Sequence, residues 1–171
     1  SSPIARRWRT GVLVFVLWFG ALTAWSFATP IWASPDEFQH AFRAYSAAHG
    51  QLYSAPVDAI RGTGGFVTVP RGWLNSAAHY KCYSGRGVDA RCLPPLTNDS
   101  HPVTVASYIA RYNPLYYLIA GSPTLVTGPA HAVRLMRLAS AALSALFLTW
   151  AFTGAMTSRR PALVAASVLL A

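Results

Sequence analysis

Three stretches of this chain contain no Asp, Glu, Lys or Arg at all: residues 10–35, 112–133 and 138–158. Each reaches the length of about 20 mainly apolar residues that a helix needs to cross the core of a bilayer. Nothing else in the sequence limits the fold as much. Hydrophobic side chains make up 53% of the 171 residues and charged ones only 11%, against roughly 25% charged in soluble domains. That hydrophobicity excludes a disordered chain, and having just two cysteines excludes a disulfide-dense mini-protein. The net charge of +9 raises nucleic acid as a partner, but its distribution says otherwise. All five acids (Asp36, Glu37, Asp58, Asp89, Asp99) fall between residues 36 and 99, while Arg6, Arg7, Arg9, Arg134, Arg137, Arg159 and Arg160 bracket the uncharged stretches. Basic flanks at membrane borders produce this pattern. A nucleic-acid surface would gather its basic residues on one face among aromatics. The partner read from the charges is membrane lipid, not nucleic acid.

The expected fold class is mainly α: multi-pass transmembrane helices with a long extracytoplasmic loop that opens on an amphipathic helix. Residues 1–10 read as a cytoplasmic basic arm, 11–32 as a first span and 33–112 as the loop. A short or kinked second span follows at 113–130 and a third at 136–157, and 161–171 begin a further one. The chain thus reads as the N-terminal part of a longer plasma-membrane protein. Residues 11–29 are apolar on every side, as in a membrane helix and unlike a surface helix, with Trp8, Trp25 and Trp32 suited to the interfacial belts. The arginines before the first span place the N-terminus in the cytoplasm. A cleaved signal peptide is the alternative, with Ser26 and Ala28 near a cut, but the apolar run is longer than a signal core. Pro114, Gly121-Ser122-Pro123 and Gly128-Pro129 punctuate the second segment, which also allows a re-entrant element. The third is rich in Ala, Ser and Gly, which let membrane helices approach closely.

Within the loop, Ser34-Pro35-Asp36-Glu37 has the pattern of a capping box, with Ser34 at the N-cap, Pro35 at the first helical position and Glu37 reaching back. The helix runs over 35–49 and stops at Gly50, with Phe38, Phe42 and Tyr45 on one side. Gly62-Thr63-Gly64-Gly65 reads as a turn and Phe66–Val69 as a short strand; no Gly-Lys-Ser/Thr follows, so the glycines are not a phosphate loop. In an oxidising compartment Cys82 and Cys92 should form a local disulfide.

The strongest chemical candidates are Asp36 and Glu37 as a catalytic pair, with His40 and Arg43 beside them. On a helix Asp36, His40 and Arg43 share a face. They could supply a general base and a phosphate partner just beyond a span. The structural alternative is a helix start that favours acids, with Glu37 explained by capping. His49, His79, His101 and His131 have no metal-ligand spacing, and no Ser/His/Asp arrangement is visible.

One span, then Ser-Pro-Asp-Glu-Phe-Gln-His-Ala-Phe-Arg-Ala-Tyr (34–45), a long loop, Tyr-Asn-Pro-Leu-Tyr-Tyr (112–117) and Arg-Leu-Met-Arg-Leu-Ala-Ser-Ala (134–141) together resemble a large group of bacterial multi-pass membrane proteins of unknown function. That group is similar to the GT-C superfamily of integral-membrane glycosyltransferases. The resemblance implies transfer of a sugar from a polyprenyl-phosphate donor to a glycan or protein acceptor of the cell envelope, with inversion at the anomeric carbon. It places the base, or a metal ligand, at Asp36, with Glu37 beside it, and matches the start of the second span to Asn113-Pro114-Leu115, where many relatives have two prolines. His40, Arg43 and Arg111 become the substrate-binding residues, the arginines for the leaving lipid phosphate. A divalent cation on Asp36 or His40 stays open as a second option. A non-catalytic multi-pass protein, such as a transporter, flippase or assembly partner in envelope-polymer synthesis, is the rival reading. The Gly-Ser-Pro break at 121–123 is its supporting feature.

Overall fold

The computed structural model describes residues 3–57, 64–83 and 88–157. Arg159, Arg160, the apolar start at 161–171 and part of the glycine turn at 62–65 lie outside them. The chain forms two compact units, Ser1–Ala28 with Ser140–Ala171, and Thr29–Ala139.

The first unit contains α1 (Pro3–Ala28) and the later part of α5 (Pro129–Thr157). Among the described residues two segments are long and apolar enough to cross a membrane: Arg7–Ala28, with mean hydropathy 1.9, and Pro129–Met156, with 1.5. None of the apolar window of α1 is buried within the chain, and Leu13, Val16, Leu17, Trp25 and Phe27 are exposed. The two helices run antiparallel, because Gly11 near the start of α1 faces Thr153 near the end of α5. The first helix stops at Ala28, short of the expected Trp32.

The second unit is built on α2 (Glu37–Ala48), the antiparallel pair β1 (Gly65–Pro70) and β2 (Pro102–Ser107), the short α3 (Leu74–Ala78), α4 (Pro114–Gly121) and the first turns of α5. The strand expected at Phe66–Val69 forms as β1, and its register runs from Gly65 opposite Ser107 to Pro70 opposite Pro102. Neither proline can donate to the ladder, which fits their place at its end. The core is aromatic. Trp73 stacks on Phe42 at 6.3 Å and meets Tyr45 edge-on at 5.4 Å and Trp32 at 6.3 Å. Both indoles are satisfied, Trp32 Nε1 donating to Ser76 Oγ at 2.9 Å and Trp73 Nε1 to the Pro129 carbonyl at 2.8 Å. The second bond ties the start of α5 to the turn after β1. The Cys82–Cys92 disulfide is formed, with the Cα atoms 6.0 Å apart.

Two expectations are corrected here. Residues 113–130 form no single helix long enough to cross a bilayer. Pro114 starts an eight-residue helix, about 12 Å long at 1.5 Å per residue; a 3-10 turn over Ser122–Leu125 follows it, and Pro129 starts α5. The short helix packs on α2 instead: a Cβ at Gly121 would run into the Ala44 carbonyl, so only glycine lets the two backbones come this close. Consequently α5 begins at 129 and not at 136, and its Ala132, Val133 and Met136 are buried in the core of the second unit. The second correction concerns α2, which starts at Glu37 and not at Pro35. Asp36 takes a left-handed conformation (φ 59°) and closes the helix start without a side-chain cap. Its other end is as expected: Gly50, at φ 91°, follows the helix, and the amides of Gly50 and Gln51 donate back to Ala47 and Ser46.

Candidate functional site

The link between the end of α1 and α2 is eight residues long, Thr29 to Asp36. It holds two non-glycine residues at positive φ, Trp32 (65°) and Asp36 (59°). Such conformations cost about 1–3 kcal/mol each and tend to occur where a side chain must be aimed. Asp is among the few residues that visit this region readily. Asp36 is exposed, and its carboxylate lies close enough to Tyr108 to act on that hydroxyl.

Tyr108 is placed by β2. The strand ends at Ser107, whose side chain accepts from the Ile109 amide at 3.4 Å. Buried Ile109 and Ala110 anchor the turn, which leaves Tyr108 and Tyr112 outward, 40% and 41% exposed. Partial burial, and then the nearby carboxylate of Asp36, push the Tyr108 hydroxyl up to about 12, so it stays protonated near neutrality. Tyr80 and Tyr112 border the same group. Lys81 lies over the Tyr80 ring, its Nζ 5.3 Å from the ring centre.

The remaining sequence candidates separate. His40 Nδ1 and the Tyr117 hydroxyl are hydrogen-bonded at 2.8 Å, so His40 and Asp36 turn to different tyrosines. Burial, with Tyr116 and Tyr112 nearby, raises Tyr117 to about 12, while Arg43 pulls the other way. Arg43 does not face solvent. It is fully buried, and its guanidinium donates to the carbonyls of Gln51 and Leu52 at 2.9 Å each and of Tyr112 at 2.9 and 3.3 Å. Burial lowers its pKa, and Tyr117 raises it. The residue knits α2 to the turn after it and to the start of α4. Arg111 is exposed on the same turn as Tyr108 and Tyr112. Among the described residues no three His, Cys, Asp or Glu side chains converge, so the cation option has no ligand set there.

Glu37 does not reach back to Ser34 in a capping box. Its two carboxylate oxygens accept from Arg137 Nε at 2.5 Å and Nη2 at 2.7 Å. Arg137 also donates to the carbonyls of Thr29 and Pro30 at 2.7 Å each, which fastens the residues just after α1 to α5. Sequence reasoning missed both this pair, one hundred residues apart, and the tyrosine ring around Asp36. Only the density of tyrosines at 108–117 could have pointed to the latter.

Residues 19–171 match the model of a family described as predicted membrane proteins, DUF2142. The chain belongs to this family. No curated protein and no solved structure matches it. As a DUF2142 protein it is a predicted membrane protein, which would contact lipid, and it has two candidate spans, Arg7–Ala28 and Pro129–Met156.

Proposed function

We propose that this DUF2142 chain belongs to a GT-C-like integral-membrane glycosyltransferase, with Asp36 as general base. The reaction is transfer of a sugar from a polyprenyl-phosphate donor to a cell-envelope acceptor on the side of the plasma membrane that holds Thr29–Ala139, opposite a cytoplasmic N-terminus. The observation that carries the reading is Asp36 itself: exposed, eight residues past a candidate span, off the helix in a left-handed conformation, and near the Tyr108 hydroxyl. A carboxylate needed only to start a helix would cap it, and this one makes no cap. An acceptor hydroxyl would give its proton to Asp36 while its oxygen attacks the anomeric carbon. The bond from that carbon to the phosphate oxygen breaks, the electron pair leaves with the lipid phosphate, and the configuration inverts. Arg43 is committed to carbonyls; in this reading Arg111, exposed on the turn that carries Tyr108, and Lys81, over the Tyr80 ring, balance the leaving phosphate. The helix break at 121–123 that would suit a transporter belongs to the second unit, outside the membrane part of either candidate span, which removes that support for the rival reading.

The test is Asp36→Asn in vesicles supplied with polyprenyl-phosphate sugars and envelope acceptors. Loss of a general base lowers the rate by about 10²–10⁴, while membrane insertion and the Cys82–Cys92 disulfide persist. Transfer at the wild-type rate would remove Asp36 from the chemistry and the reading with it.

A further inference from the structure

We propose that the groove between the first turns of α1 and the last turns of α5 binds one anionic phospholipid from the leaflet nearest the N-terminus. Gly11, Val12 and Phe15 form one wall and Leu146 and Thr149 the other, around a cavity of about 560 Å³ with Arg7 at its mouth. This site lies wholly within the first unit and does not depend on the transferase reading.

Its dimensions fit one leaflet. From Arg7 to Phe15 the helix rises about 12 Å, within the roughly 15 Å that is half of a 30 Å hydrocarbon core. The floor is apolar because of two local features. Gly11 contributes no side chain, and Thr153 turns its hydroxyl back to the Thr149 carbonyl at 2.8 Å, which leaves its methyl 4.0 Å from where a Cβ of Gly11 would be. Among the described residues the Thr149 hydroxyl is buried without a hydrogen-bond partner. The mouth is the opposite in character. Arg7 and Trp8 line it, with no acid anywhere in residues 1–35, and Trp8, 72% exposed, is an anchor of the type found at headgroup level.

That combination selects the occupant. An acyl chain suits the floor, and a phosphate suits Arg7. A second copy lying parallel would bring its own Arg7 and Arg9 to the same border, where like charges repel. An anionic headgroup neutralises them instead.

The experiment uses the full chain in bilayers of equal phosphatidylglycerol and phosphatidylcholine, with retained lipid counted by native mass spectrometry. Wild type should keep one phosphatidylglycerol in preference to phosphatidylcholine. Arg7→Gln should cut that preference about fivefold, the factor that accompanies one basic residue at an anionic surface. Gly11→Leu should abolish retention of either lipid, because the leucine fills the floor. Leu146→Trp fills it from the other wall and serves if the first variant does not fold, the disulfide of the second unit reporting folding in both. Equal retention of the two lipids by wild type, an unchanged preference in Arg7→Gln, or lipid retained by both filled variants overturns the proposal. So does a second protein chain held at the groove in place of lipid.

Discussion

Glu37→Gln separates two accounts of one residue. In a capping box Gln closes the reciprocal bond as well as Glu does, and the substitution would be silent. In the structure both carboxylate oxygens accept from Arg137, and the Arg137 and Glu37 side chains are only 14% and 13% exposed. A glutamine offers one oxygen and turns an NH₂ toward a guanidinium that has lost its counter-charge in a nearly dry site. Removing one partner of a buried pair costs about 3–5 kcal/mol. The bonds from Arg137 to the Thr29 and Pro30 carbonyls survive, which favours the lower end. At about 2–4 °C per kcal/mol for a chain of this size, a loss of about 3 kcal/mol lowers the thermal midpoint by roughly 6–12 °C. The assay is thermal unfolding of detergent-solubilised Glu37→Gln, Arg137→Met and the double variant. The double variant should lose less than the two singles added, because it leaves no charge stranded. A Glu37→Gln midpoint within about 1 °C of wild type, where 1 kcal/mol already moves it further, would refute the ion-pair account.

Three further outcomes are expected. Burial holds His49 below its usual 6.5, so folding favours the neutral ring; its contribution is complete above the unfolded value and is lost as pH falls through 6.5 toward the lower folded value. Thermal midpoints taken on acidification should drop in wild type, and His49→Asn should flatten that slope. Gly121→Ala pushes a methyl into the Ala44 backbone and should cost about 1–3 kcal/mol by overpacking, read as a lower denaturation midpoint, whereas Gly20→Ala, with open space around it, should not. Single cysteines at positions 9 and 156 should react with an impermeant thiol reagent from one face of the membrane and a cysteine at 134 from the other; position 134 reacting with 9, and 156 from the opposite face, would restore a third span.

Local patterns were legible in the sequence. The uncharged run at 10–35 formed a long apolar helix because no competing signal interrupts it. Gly50 ended α2 because its left-handed conformation suits glycine, and the β-branched run at 66–69 formed a strand. Misreadings came where a local rule met a distant partner. Ser34 and Glu37 have the capping-box spacing, but Arg137 offers Glu37 a charged partner, and a charge-assisted bidentate bond outcompetes a bond to one amide. Arg43 looked like a free cation because nothing in the sequence reveals that the carbonyls of residues 51, 52 and 112 converge on it. The tyrosine hydroxyl beside Asp36 depends on the pairing of two strands far apart in the chain, and single-sequence periodicity carries no information on that pairing.

The segment at 112–133 shows why hydrophobicity alone misjudged the number of spans. Absence of charge is necessary for a span, but an uninterrupted helix is necessary too, and Pro114, Pro123 and Pro129 divide this stretch into pieces too short to cross. The charge rule could not decide, because a three-span and a two-span chain each place two of the four later arginines beside the N-terminal ones. Arg137 shows what this stretch leads into instead. Its bonds to the carbonyls of Thr29 and Pro30 and its ion pair with Glu37 tie the residues after α1 and the start of α2 to the early turns of α5, so segments a hundred residues apart close one compact unit, Thr29–Ala139. A nearly buried charge pair of this kind costs too much to leave half-made, which is why the first turns of a long apolar helix serve as part of a folded core.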